Sequence, residues 1–150
     1  MLKDLKIGKE GEELVKQTLE ELGFECWLNE DKNELLYYDL EIKHPLLDAK
    51  LEIKNDLYAT KSGNIAIEYY NCKSKKSSGI SATKADYWVH IIDGNPVICS
   101  VNSLKEFIFN TKPYKNILAG GDNNANMYLY RIKDILPIFK PLKEILCMMN

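Results

Sequence analysis

The sequence lacks the features that mark membrane proteins, exported proteins and zinc-binding proteins. It has no apolar run of bilayer-spanning length, and its first residues, MLKDLKIGKEGEE, are charged, unlike a signal peptide. It has four cysteines but no CxxC pair, and its two histidines do not have the spacing of zinc ligands. We therefore expect a cytoplasmic protein with reduced cysteines and no membrane partner.

An excess of positive charge is also missing. The chain has 20 Lys and Arg against 22 Asp and Glu, which gives a formal net charge of −2 at pH 7. Any affinity for nucleic acid would therefore have to come from a local basic patch. The 150 residues are 45% hydrophobic and 28% charged, as in soluble globular proteins, and we expect residues 1–150 to form a single domain.

Apolar periodicity predicts helices and strands in a mixed order. We expect a first helix that ends at Gly23, two strands within 25–42, strands over 49–55 and 64–71, and a hairpin around Asp93-Gly94-Asn95. A helix capped by Ser103, a strand near 127–132 and a helical tail broken by Pro137 and Pro141 follow. This order predicts a mixed β-sheet flanked by α-helices.

Two neighbouring strands carry acidic side chains. The run from Leu51 to Lys54 alternates apolar and charged residues, so Glu52 and Lys54 share the face opposite the apolar one. The preceding strand places Asp39 where it can lie beside Glu52. Two carboxylates that close repel unless a cation lies between them, and hard divalent ions accept carboxylate oxygens. The pattern is that of a metal site at which Lys54 holds or deprotonates a water.

The same residues also have an ordinary structural interpretation. Lys54 or Lys50 could neutralise the acids on a solvated face, and short patterns of this kind recur by chance. A third acid, Glu12, falls about 90° from the centre of the apolar stripe of the first helix, where helix meets sheet. A carboxylate there needs a partner, and an i,i+4 pair with Lys16 would supply one.

These motifs, taken together, resemble those of a nuclease superfamily. GKEGE on the first helix, then YD, then EIK resemble the PD-(D/E)XK nucleases, also called restriction-endonuclease-like. EIKND, NIAIEYY and SGISATKADYWVHI are most similar to segments of archaeal and phage Holliday-junction resolvases and small phage nucleases. The resemblance runs from about Gly8 to Ile92. It implies an α/β fold with a restriction-endonuclease-like mixed β-sheet flanked by α-helices.

The resemblance also implies roles for individual residues. By position, the helix acid of the family falls on Glu12, the motif aspartate on Asp39, and the final acid and lysine on Glu52 and Lys54. In the family the three acids bind Mg²⁺ or Mn²⁺, often with the main-chain carbonyl of the residue that is Ile53 here. The lysine positions or activates the attacking water. The resemblance leaves open whether one metal ion or two are bound.

Two details of this alignment stand apart from the family pattern. The residue before Asp39 is Tyr38 rather than proline, which many members also lack. Glu10 or Glu13 would take the place of Glu12 if the alignment shifted along the helix.

A basic segment rich in small residues follows the strand that carries Glu68. Lysines attract phosphates, and small residues let backbone N–H groups approach them. An isolated lysine cluster is more often a solvated loop than a binding site. This cluster, however, directly follows the strand beside the proposed site. Glu68 itself is either an outer acid of the site or a member of an ion pair. The candidate DNA-binding residues are Lys61, Lys73, Lys75, Lys76, Ser78 and Lys84.

The function that the resemblance implies is that of a Mg²⁺-dependent endodeoxyribonuclease. Its expected substrate is branched DNA, a four-way junction, and its expected state is a homodimer whose two sites cut opposing strands. A phage nuclease that cuts linear or flapped DNA is one alternative, and it would act in the host cytoplasm. An inactive module of the same fold that binds DNA or protein is another. The complete set of acids and lysine argues against that inactive module.

Overall fold

A computed structural model of the chain describes residues 2–31, 37–119 and 124–149. The helices are α1 (Leu2–Glu21), α2 (Ala59–Ser62), α3 (Val101–Asn110) and α4 (Ile132–Ile135), with 3₁₀ segments at Gly79–Ser81, Leu136–Ile138 and Leu142–Met149. The strands are β1 (Glu25–Leu28), β2 (Leu40–His44), β3 (Leu47–Asp56), β4 (Asn64–Asn71), β5 (Lys76–Ser77), β6 (Tyr87–Ile92), β7 (Asn95–Ser100), β8 (Lys115–Ala119), β9 (Ala125–Arg131) and β10 (Lys140–Pro141).

The strands form two sheets. The first has the order β1-β2-β3-β6-β7-β10 and is mixed, because β3 and β6 are parallel while its other pairs are antiparallel. The second has the order β5-β4-β9-β8 and is antiparallel throughout. The predicted α/β class, with a mixed sheet and flanking helices, is confirmed. The separate second sheet is not predicted by periodicity, which identifies strands but not their partners.

The end of the first helix and the β-hairpin lie where the sequence predicts them. α1 ends just before Gly23, whose φ of +93° is favourable only for glycine. The β6–β7 hairpin turns at Asp93 and Gly94, both with positive φ. These two features set the lengths of the first helix and of the hairpin.

Other local predictions are wrong. Ser100, not Ser103, caps α3: the Ser100 Oγ accepts a hydrogen bond from the Ser103 N–H at 3.0 Å, so the helix begins at Val101. The chain after β9 is not a continuous helical tail. Pro137 and Pro141 divide it into α4, two 3₁₀ segments and β10. The segment 115–119, which periodicity leaves unassigned, is strand β8.

Apolar side chains cover both faces of the first sheet. Val15 and Leu19 of α1 pack with Leu51 and other side chains on one face. On the opposite face, Trp88 packs with Ile65 of the second sheet and with residues of α3. Burial of each such aliphatic side chain contributes about 1.5–3 kcal/mol. The first sheet is therefore an inner layer between α1 and the second sheet.

In the described ranges no helix is both long and apolar enough to cross a membrane. The predicted loop AGGDNNAN includes residues 120–123, which lie outside the described residues. The polar connection between β1 and β2 includes residues 32–36, which also lie outside them.

Candidate active site

The site begins at an open edge of β3. β2 pairs with β3 only as far as Leu40 and Leu51, so in the described structure residues 52–56 pair with β6 alone. Asp39 occupies this edge: its N–H donates to the Leu51 carbonyl at 2.8 Å, and its Oδ2 accepts from the Ile53 N–H at 2.7 Å. A strand residue directs its N–H and C=O to the same side. The Ile53 carbonyl therefore faces the same edge as the Asp39 carboxylate.

Helix α1 reaches the same place through a close contact with β3. A Cβ atom at Gly11 would lie 2.8 Å from the Cβ of Asn55, so only glycine allows this approach without a shift. The Asn55 side chain donates a hydrogen bond to the Ile7 carbonyl at 2.9 Å. These contacts hold Glu12 at the wall of a cavity that Asp39 also lines.

The charged face of β3 is covered, contrary to the solvated face that simple alternation predicts. Glu52 is only 5% exposed. Its Oε1 lies 3.4 Å from the Lys54 Nζ, and its Oε2 accepts a hydrogen bond from the Thr83 Oγ1 at 3.2 Å. Lys54 thus neutralises Glu52, as the structural interpretation of the sequence expects. Lys50 does not pair with these acids: its Nζ lies 4.8 Å from the centre of the Tyr38 ring.

A cavity of about 430 Å³ opens at this edge. Its lining includes Glu12, Asp39, Ile53 and Lys54, whereas Glu52 lies behind Lys54 and is not part of the lining. Residues from the start of α1, the end of β3, the segment after β3, β4 and β6 complete the charged and polar wall. These are Asp4, Asn55, Asp56, Tyr58, Glu68 and His90.

Burial makes the carboxylic acids of the site hard to ionise. Burial and the negative charge of Asp39 raise the pKa of Glu12 to about 7. Burial raises the pKa of Glu52 to about 7 even though Lys54 opposes the shift. Burial also raises the pKa of Asp39, against the hydrogen bond from the Ile53 N–H. A nearby cation would stabilise the ionised forms, so this set of oxygen donors suits a hard divalent metal.

In this conformation the three acids do not form a preformed metal-binding site. Within the described ranges, no three His, Cys, Asp or Glu side chains converge closely enough to hold a metal ion. The Glu52 oxygens are engaged by Lys54 and Thr83. Coordination by all three therefore requires the Glu52 side chain to turn toward the cavity and the carboxylates to move closer together.

The Lys54 ammonium is charged at neutral pH. Burial alone would lower the pKa of Lys54, but the carboxylates of Glu52, Asp39 and Glu68 outweigh burial and the pKa is raised. Glu68 therefore acts on the site from β4, on the opposite wall of the cavity. In this environment Lys54 is a hydrogen-bond donor.

A buried polar chain runs next to Lys54. His90 is 1% exposed; its Nδ1 accepts from the Trp88 Nε1–H at 3.3 Å, and its Nε2 lies 3.0 Å from the Asp56 Oδ2. Because Nδ1 accepts, the proton lies on Nε2 and is donated to Asp56. The Lys54 Nζ is 6.0 Å from the centre of the Trp88 ring. His90 is therefore a buried histidine whose two ring nitrogens both have hydrogen-bond partners.

The six predicted DNA-binding residues do not belong to the cavity lining. The Lys84 Nζ lies 4.7 Å from the centre of the ring of Tyr37, two residues before Asp39. The Ser78 Oγ is buried and, among described residues, has no hydrogen-bond partner. The other four are exposed and lie in α2 and in or beside β5: Lys61, Lys73, Lys75 and Lys76.

Glu12 differs from the acids next to it on α1. Glu13 is exposed, and the Glu10 carboxylate lies 4.0 Å from the Lys6 Nζ. The expected pair of Glu12 with Lys16 is not among the ion pairs of the described residues. Of these three acids, Glu12 is the one that lines the cavity.

Two positioning residues, Thr83 and Asn55, are not found by sequence reasoning. Thr83 holds Glu52, and its Oγ1 also lies 2.9 Å from the Tyr37 carbonyl. Asn55 joins β3 to α1. Asparagine is unfavourable within strands, so its place at the end of EIKN is the one sequence signal that points to it.

No protein-family model matches the chain, and no curated protein sequence matches it. Among solved structures, a bacterial homing endonuclease, I-Ssp6803I, is similar to the chain, with a TM-score of 0.49 and 15% sequence identity over 63% of this chain and 67% of that chain.

Proposed function

We propose that this chain is a metal-dependent endonuclease that hydrolyses phosphodiester bonds in DNA. The observation that carries the proposal is the shared cavity of Glu12, Asp39 and Lys54, with Glu52 paired to Lys54 at its wall. These residues come from α1, from the position just before β2 and from β3, and they follow the order of the nuclease motifs along the sequence. A chance EIK pattern would not be expected to meet the other two motifs in one cavity.

The proposed metal ligands are the carboxylates of Glu12, Asp39 and Glu52 and the carbonyl of Ile53. A bound Mg²⁺ or Mn²⁺ lowers the pKa of its water and polarises a phosphoryl oxygen. The Asp39 Oδ2 is occupied by the Ile53 N–H, which leaves Oδ1 available. The cavity wall is rich in acids, so an anionic phosphate needs a compensating cation to enter. DNA binding and metal binding are therefore coupled in this proposal.

Lys54 orients the attacking water in the proposed reaction. Its pKa is raised, so its ammonium donates hydrogen bonds rather than taking a proton. The ion pair with Glu52 fixes the side chain, and the donors not used by Glu52 are available to the water and to a phosphate oxygen.

The finer proposal is a Holliday-junction resolvase that acts as a homodimer on four-way junctions. It is supported by the similarity of EIKND, NIAIEYY and SGISATKADYWVHI to resolvase segments. Two catalytic sites related by a two-fold axis would cut opposing strands of such a junction.

The test is cleavage of a four-way junction and of linear duplex with Mg²⁺, with Mn²⁺ and with EDTA. Cutting of the junction alone, and only with metal, is the expected result. Absence of cutting of either DNA with both metals would overturn the nuclease proposal. Equal cutting of both DNAs would overturn the resolvase proposal and leave the nuclease proposal standing.

Asp39→Asn is the matched inactive variant for this test. It keeps an oxygen that can accept the Ile53 N–H bond but removes the negative charge that a metal ligand needs. It should not cut DNA, yet it should fold with the thermal midpoint of the wild type to within a few degrees. Cleavage at the wild-type rate would show that Asp39 is not a ligand.

A further inference from the structure

The second sheet has one face that is not part of either hydrophobic core, and we call it the open face. Ile65 and Ile67 of β4 are buried in the core, whereas the residues between them point the other way. Residues paired directly across strands lie on one face. The open face therefore consists of three rows: Glu68, Met127 and Ile117; Ala66, Leu129 and Lys115; Asn64 and Arg131.

The open face continues directly from the cavity. Ala66, Glu68 and Met127 line the cavity and also form one end of the open face. Met127, Leu129 and Ile117 are partly exposed and belong to neither core cluster. A ligand bound in the cavity can therefore extend along this surface.

A preorganised cation lies at the far end of the open face. Arg131 is the single arginine of the chain, and its guanidinium carbon lies 3.7 Å from the centre of the Tyr114 ring. The Lys115 Nζ lies 5.6 Å from the same centre. Among the described residues Arg131 takes part in no ion pair. The ring thus holds the guanidinium while leaving its edge donors available for an anion.

We propose that a DNA strand leaves the cavity along the open face and that Arg131 binds one of its phosphates. This inference rests on the proposed nuclease function and specifies where the substrate lies. Arg131 lies four residue steps from Met127 at the cavity, which is about 13 Å along a strand. That distance equals the axial rise of about four base pairs of duplex DNA. Lys115, in the middle row, is placed for a phosphate between them.

Charge separates this surface from the cavity itself. The cavity wall is acidic and needs a metal ion to accept a phosphate, whereas the cations at the end of the open face can bind phosphate directly. The position of these cations outside the cavity therefore predicts a contribution to DNA affinity and little contribution to the chemical step.

The test is DNA binding by fluorescence anisotropy, in Ca²⁺, with a labelled four-way junction whose arms, of about 15 base pairs each, are longer than the proposed track. Arg131→Ala should weaken binding about tenfold and make the negative slope of log affinity against log salt less steep by about 1. Arg131→Lys should keep the slope and recover part of the affinity. Lys140→Ala is the matched control, because Lys140 is exposed on the edge strand of the other sheet. The thermal midpoint of each variant is measured to check that it is folded.

The outcomes separate this inference from the nuclease proposal. If Arg131→Ala and Lys140→Ala bind alike while the wild type cuts DNA with Mg²⁺, the open-face inference is overturned and the nuclease stands. If Arg131→Ala binds more weakly but the wild type does not cut, the nuclease proposal fails and the open face stands as a DNA surface. If the wild type binds no DNA, both are overturned.

Discussion

The two sheets present different surfaces to the cavity, and in the proposed function the first sheet carries the chemistry and the second binds DNA. In the first sheet one face of β3 is buried against α1, and on the other face Glu52 is 5% exposed while Lys54 reaches the cavity. In the second sheet the open face is partly exposed and ends in Arg131. Burial raises the pKa of Glu52 to about 7 and makes it responsive to a cation. Because the open face is partly exposed, its cation can contact a long polymer such as the proposed DNA strand.

Removal of the Lys54 ammonium should have the largest effect on the rate of cleavage. Lys54→Met keeps much of the side-chain volume but removes the donor that orients water, so cleavage should slow about 10²- to 10³-fold. The measurement is single-turnover cleavage, with anisotropy in Ca²⁺ for binding. Binding should remain close to that of the wild type, and a proportionate loss of binding would assign Lys54 to DNA affinity instead.

Variants of Asp56 test whether the hydrogen bonds of the buried polar chain contribute to the stability of the protein. Asp56→Ala leaves the His90 Nε2–H without its acceptor and should lower the free energy of unfolding by about 1–3 kcal/mol. Asp56→Asn keeps an acceptor oxygen and should cost less. Urea unfolding measures both. Equal losses in the two variants would show that packing of Asp56, not its bond to His90, is what matters.

Gly11 and Gly8 form a matched pair on α1. A Cβ at Gly11 would collide with Asn55 and contact Ile91, so Gly11→Ala should lower stability by about 1–3 kcal/mol. A Cβ at Gly8 meets nothing within 4 Å, so Gly8→Ala should raise stability by about 0.5–1 kcal/mol through helix propensity. Urea midpoints compare them, and stabilisation by both would contradict the close approach of α1 to β3.

The pH dependence of stability should be the subtlest effect. The ordinary pKa of Glu12 and Glu52 is 4.5, and in the folded chain both are raised to about 7. Between these values the folded chain holds more protons than the unfolded chain, so its stability falls as pH rises through this range. In EDTA, thermal midpoints should decline from pH 5 to pH 8, and Glu52→Gln should flatten the decline. A decline of unchanged slope in Glu52→Gln would contradict the raised pKa.

Much of the fold, and the position of Glu12 where α1 meets the sheet, could be predicted from the sequence, but the contacts within the candidate site could not. Alternation identified β3, and helical geometry put Glu12 where α1 meets the sheet. The burial of Glu52 could not be predicted, because it depends on Thr83 and on a second sheet brought in by distant strands. The proposed role of Arg131 could not be predicted from the sequence. No local motif marks this residue, and its position on the open face depends on the pairing of β4, β8 and β9.

The central claim is that the carboxylate of Glu12 acts with those of Asp39 and Glu52 in metal-dependent cleavage. Its most direct test is single-turnover cleavage of DNA with Mg²⁺ by Glu12→Gln and Glu13→Gln, which change adjacent acids of one helix. Glu12 lines the cavity and Glu13 is exposed on the outer surface. The account predicts that Glu12→Gln loses about 10²-fold or more in rate while Glu13→Gln cuts like the wild type. Equal rates for the two variants would contradict it.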